Sequence, residues 1–96
     1  MNTYFSRIVA DHWCAKNESQ KAAHKLAHEM ERRIVTSDQV LDFKAEFIDK
    51  VSKINAAHPR CKPLHLSIQS SHEDKGDIVF WMDGVFHLDL ILAKEL

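Results

Sequence analysis

Glycine is nearly absent from this chain, with Gly76 and Gly84 the only two in 96 residues. Loops that cradle phosphate need several glycines, so that the backbone can approach the anion with no Cβ in the way. Both glycines here sit in turn-like contexts, which argues against ATP, GTP and dinucleotide sites of the usual kinds. Proline is as scarce, with only Pro59 and Pro63, so long flexible linkers are not expected. Two cysteines, Cys14 and Cys61, are too few for a disulfide framework. Long hydrophobic runs are missing as well. The longest, Ile78 to Met82, covers five residues, far below the roughly 20 of a membrane-spanning helix. The start, MNTYFSRIVADHW, is interrupted by Arg7 and Asp11 and lacks the apolar core of a signal peptide. Together these absences predict a cytoplasmic protein with reduced thiols. An excess of charge of one sign is also lacking: 13 Lys and Arg stand against 14 Asp and Glu, for a formal charge of −1. A general nucleic-acid binder usually shows a strong basic excess.

What is present is ordinary for a globular protein, with 45% hydrophobic and 28% charged residues. The length suits one domain over residues 1–96. Histidine is the unusual count. The seven histidines titrate near pH 6.5, and their full protonation would carry the formal charge from −1 to +6.

The first 58 residues read as helical and the rest as strand. At about 100° per residue, Tyr4, Phe5, Ile8, Val9, His12 and Trp13 share one face of a first helix over 3–15. Asn17 to Ser19 supply a break and a cap. A second helix over 19–35 carries the stripe Ala22, Ala23, Leu26, Ala27, Met30 and Ile34. Thr36-Ser37-Asp38-Gln39 has the spacing of a capping box. A third helix follows with the stripe Val40, Leu41, Phe43, Phe47, Ile48, Val51 and Ile54, and Pro59 ends it near Ala57. Leu64 to Gln69 alternates and reads as a strand. Residues 77–82 and 85–92 read as a hairpin across Asp83-Gly84, a pair suited to a two-residue turn. The expected fold is therefore α+β: three N-terminal helices, then a three-stranded antiparallel β-meander over 64–92.

A two-residue turn sets the hairpin register. Met82 then faces Val85, Trp81 faces Phe86, and Phe80 faces His87. One face carries Val79, Trp81, Phe86, Leu88, Leu90 and Leu92, which we assign to the core. The other carries Ile78, Phe80, Met82, Val85, His87 and Ile91, with Asp89 among them. An apolar patch with a polar margin is the usual form of an interaction surface. A longer loop would shift the register and exchange the two faces.

Four further constellations bear on function. Lys21, Lys25, His28 and Arg32 make a basic stripe on the second helix, which could meet phosphates. His24, His28 and Glu31 have spacing that could hold zinc, on what reads as a polar helix face. His58, Cys61 and His65 cluster in the connector, but no Cys-x2-Cys knuckle accompanies them. His87 and Asp89 share a strand face with no nucleophile motif nearby. No cofactor is implied. The leading expectation is a small non-enzymatic protein that binds another protein or a second copy of itself through the second hairpin face. The alternatives are a nucleic-acid-associated protein using the basic stripe, and a metal- or thiol-dependent enzyme.

Overall fold

A computed structural model of the chain describes residues 3–11, 15–70, 78–82 and 85–93. The elements run β1 (Thr3–Asp11), α1 (Glu18–Met30), β2 (Ile34–Thr36), α2 (Val40–Ala57), β3 (Leu66–Ser70), β4 (Ile78–Met82) and β5 (Phe86–Leu92). The strands form one five-stranded sheet in the order β2-β1-β5-β4-β3, and every neighbouring pair is antiparallel. The inward residues of the sheet share one core cluster with Ala23, Leu26, Ala27 and Met30 of α1 and Phe43, Phe47 and Val51 of α2. Both helices therefore pack on the same sheet face. No described helix is long and apolar enough to cross a membrane.

The expected three helices and three-stranded meander are thus corrected to two helices and five strands. The first expected helix, 3–15, is β1 as far as it is described; His12, Trp13 and Cys14 lie outside the described residues. Register with β5 puts Tyr4, Ser6 and Ile8 on the helix side, against Leu92, Leu90 and Leu88. Phe5 and Arg7 point the other way. This is the period of two that marks a strand, but a serine occupies one of its inward positions. With a polar residue there, the remaining apolar residues imitate a helical stripe.

Ser6 is fully buried, at 0% exposure, and every polar group it has is satisfied. Its N–H donates to the Arg33 carbonyl at 3.0 Å, and its carbonyl accepts from the Arg32 N–H at 2.7 Å. Its hydroxyl donates to the Met30 carbonyl at 2.7 Å and accepts from the Arg33 N–H at 2.9 Å. These bonds end α1 at Met30, short of the expected residue 35, and swing the chain into β2. Arg32 makes the turn with φ of 60°, a left-handed conformation costly for a residue with a Cβ. β2 then pairs with β1 through Thr3↔Thr36, Tyr4↔Val35 and Phe5↔Ile34.

The local helix signals hold better. The Asn17 side chain accepts from the Gln20 N–H at 2.8 Å and caps α1. Gln39 reaches back to the Thr36 N–H at 3.3 Å, as the T-S-D-Q spacing predicts, and α2 ends at Ala57 ahead of Pro59. Its contact face is narrower than the apolar stripe: Phe43, Phe47 and Val51 are buried, while Leu41 and Ile48 are exposed.

The hairpin register differs by one residue from the expected one. Met82 pairs with Phe86, Trp81 with His87, Phe80 with Leu88, and Ile78 with Leu90. Three residues therefore separate the strands. Asp83 and Gly84 lie outside the described residues, and the Val85 N–H donates to the Met82 carbonyl at 3.0 Å. The shift turns β4 over relative to β5: Phe86, Leu88, Leu90 and Leu92 keep their expected inward positions, while Val79 and Trp81 lose theirs. Ile78, Phe80 and Met82 are in the core together with Phe86, Leu88, Leu90 and Leu92. Phe80 stacks on Phe47 with ring centroids 5.0 Å apart and meets the edge of Phe43 at 5.3 Å. Phe47 in turn lies 5.9 Å from Phe86.

Two outcomes follow from this packing. Phe80→Ala opens a cavity under α2 and should cost about 3–5 kcal/mol in chemical denaturation; a loss below about 1 kcal/mol would contradict the aromatic cluster. At the α1–β2 junction, Ser6→Ala strands the Met30 carbonyl and the Arg33 N–H and should cost about 1–3 kcal/mol. Arg32→Gly, which relieves the positive φ, should instead raise the melting temperature.

Candidate functional site

The helices cover one face of the sheet, and the outward face can be laid out in rows from the strand registers. Ile34, Phe5 and Ile91 stand side by side across β2, β1 and β5. The next row is Arg7, Asp89, Val79 and Gln69. Beyond it lie His87, Trp81 and Ser67. A bulge in β1, between Ile8 and Ala10, adds one residue to the strand there. Such bulges redirect side chains, and Val9 is left about half exposed. Large apolar groups thus reach solvent on this face: Ile34 is 62% exposed and Trp81 40%.

The polar centre of the face is built from three side chains. His87 Nε2 lies 2.7 Å from Asp89 Oδ1, a contact possible because residues two apart on a strand share a face. Trp81 meets the His87 ring edge to face, with centroids 5.4 Å apart. Arg7 stands directly across from Asp89 in the register. A carboxylate orienting an imidazole is one component of a nucleophile-activating site. The hydroxyl in the same row, Ser67, is two strands away, on the far side of Trp81. At strand spacings of about 4.8 Å, that is far beyond hydrogen-bond reach. The shallow clefts lie elsewhere: one of about 290 Å³ between α1 and α2 beside Leu26 and Ile54, another of about 310 Å³ at the start of β3. Among the described residues this face presents an aromatic side chain, exposed aliphatics and a charged centre.

The residues expected at a site are placed as follows. Of Ile78, Phe80, Met82, Val85, His87 and Ile91, the first four are buried on or beside the helix-covered face. Only His87 and Ile91 share the outward face, and Ile91 is itself buried there at 7% exposure. Trp81 and Val79, which the two-residue turn assigned to the core, take the places expected for Phe80 and Ile78. The signal that could have found them is Val85, an apolar residue that belongs to the loop and not to the strand.

In the basic stripe, Lys21 pairs with Glu18 at 3.2 Å and His28 with Glu31 at 3.0 Å. Lys25 is exposed beside Glu29 in the helix–helix cleft. Arg32 lies beyond the end of α1, so the stripe is interrupted by acids and does not continue along one helix. The histidine pair is split: His24 is buried at 8% exposure, in contrast to the expected polar face, while His28 is half exposed. Among the described residues, no three His, Cys, Asp or Glu side chains gather in an arrangement that could hold a metal ion. That applies equally to His24, His28 and Glu31 and to the connector residues His58, Cys61 and His65.

A second charged centre lies where β2 meets α2. Arg33 Nη1 reaches both carboxylate oxygens of Glu46, at 3.1 and 2.9 Å. Lys50 Nζ bonds the same carboxylate at 2.9 Å. The Lys50 hydrogen bond holds the Glu46 carboxyl below its ordinary range; burial opposes it, and the hydrogen bond and charge of Arg33 add to the lowering. A carboxyl depressed in the folded state stabilises the protein above its unfolded pKa, and that contribution is lost as pH falls through the folded value. The stability advantage of wild type over Glu46→Gln should therefore be present at about pH 6 and fade toward about pH 3, below the ordinary glutamate range. Urea titrations of both proteins across that window check it; a constant difference would contradict the ion cluster.

No protein-family model, curated protein or solved structure matches this chain.

Proposed function

We propose that this protein is a small non-enzymatic binding module that docks another protein on the outward face of its sheet. Trp81 is the anchor, flanked by Val79 and His87, with Asp89 and Arg7 supplying the polar centre. The observation that carries this reading is the exposure of Trp81 at 40% on a face that no described element covers. A tryptophan held by a neighbouring ring presents a large contact area with little conformational freedom left to lose. Tryptophan is also enriched among the residues that dominate interface energies. The mixture of exposed aliphatic side chains with a His–Asp pair and an arginine has the composition of a docking face, with apolar groups for affinity and charges for register.

The test is a comparison of wild type with Trp81→Asp and Ile34→Asp, both on exposed positions. Ile34→Asp should melt within about 0.5 kcal/mol of wild type, as surface changes usually do, and Trp81→Asp, which gives up a partly buried ring, should lose about 1–2 kcal/mol and stay folded. A partner identified by capture with wild type from the native cell should bind purified wild type. The same partner should bind Trp81→Asp at least about tenfold more weakly, the effect of losing roughly 1.4 kcal/mol. Equal binding by wild type and Trp81→Asp would remove the proposal.

A further inference from the structure

The two edges of the sheet differ. β2 has three residues and follows directly on the Arg33–Glu46 ion pair. β3 has five, Leu66-Ser67-Ile68-Gln69-Ser70, and as the last strand in the order it has a hydrogen-bonded neighbour on one side only among the described residues. Exposed edges are normally blunted by lysine, proline or a bulge, because an unpaired row of N–H and C=O groups templates further pairing. β3 contains no charge and no proline. Its register with β4 is continuous from Leu66 to Ser70. Leu66 and Ile68 lie at the rim of the core, only partly buried.

The charges flanking β3 have a polarity. The chain entering it carries Arg60, Lys62 and His65, and the chain leaving it, SHEDKGD, carries Glu73, Asp74 and Asp77 against a single lysine. Lys62 and His65 also line the cleft at the start of β3, together with Lys16, just ahead of α1, and Gln20 in its first turn. We infer that β3 pairs antiparallel with β3 of a second copy of this chain, about a two-fold axis at Ile68. Ile68 then meets Ile68 on the helix side, closing the rim of both cores. Ser67 meets Gln69 on the outward side, where two polar side chains can bond. The antiparallel sense sets the C-terminal end of each β3, which the acidic sequence follows, beside the N-terminal end of the other, which the basic sequence precedes. A parallel pairing would set like charges together. Antiparallel pairing about an axis normal to the sheet keeps both Trp81 faces on the same side, so this dimer leaves the docking face open.

Light scattering and sedimentation of wild type, the edge double variant Ser67→Lys/Gln69→Lys, the flank double variant Lys16→Glu/Lys62→Glu, and Trp81→Asp test the inference, with thermal melts confirming that each is folded. Wild type should show a concentration-dependent dimer, and high salt should weaken it because the flanking charges are exposed. The edge lysines and the flank glutamates should each raise the dimer dissociation constant at least about tenfold, while Trp81→Asp leaves it unchanged. A wild type that stays monomeric at every concentration overturns the inference and leaves the edge to a foreign strand. A dimer that survives the edge lysines but is lost in Trp81→Asp also overturns it, because association would then use the outward face. Neither result depends on whether a docking partner is found.

Discussion

The fold turns on one buried hydroxyl. Ser6 ties the last turn of α1, the residue that reverses the chain, and the start of β2 to the middle of β1. A helix end buried against a sheet leaves carbonyls that water cannot reach, and the serine oxygen takes up one of them while accepting from the next free N–H. An apolar residue there would bury more carbon but strand both groups. The same junction fixes where β2 lies. Through β2, it sets where α2 begins, because Thr36 is both the last residue of the strand and the start of the cap.

From that junction, the two helices are committed to one side of the sheet. Phe43 and Phe47 reach down from α2 onto Phe80 and Phe86, so the parity of β4 and β5 follows from aromatic packing. Once Phe80 is inward, its neighbours Val79 and Trp81 must be outward. The exposed tryptophan is then a direct consequence of how the core is filled. Its contact with His87, and the bond of His87 to Asp89, hold a polar centre on a surface that would otherwise be aliphatic and aromatic.

Much of the helical part was legible in the residues. The Asn17 cap, the capping spacing at Thr36 and the stop before Pro59 are local signals with local causes, and each sits where expected. β3, β4 and β5 were legible within a residue or two. Two features were hidden for physical reasons. In β1, a polar residue occupies a core position because a distant helix end needs it, a requirement invisible within the nine residues of the strand. In the hairpin, both faces are rich in apolar residues, so alternation identifies a strand without choosing its inward side. That choice depended on whether Val85 is strand or loop. The binding face was therefore expected one residue out of phase, on Phe80 and Met82 and not on Trp81.

The strand order has a kinetic side. β5, the last element of the described chain, lies in the middle of the sheet between β1 and β4, and Tyr4 is paired with Leu92. Contacts so distant in sequence close late and slow the approach to the native state. A nascent chain emerging from the ribosome would carry β1 with its inner edge uncovered, and Phe47 without Phe86, until nearly all of the sequence shown here had been translated. During that interval it would depend on α1, α2 and any attendant chaperone to keep its greasy strands apart.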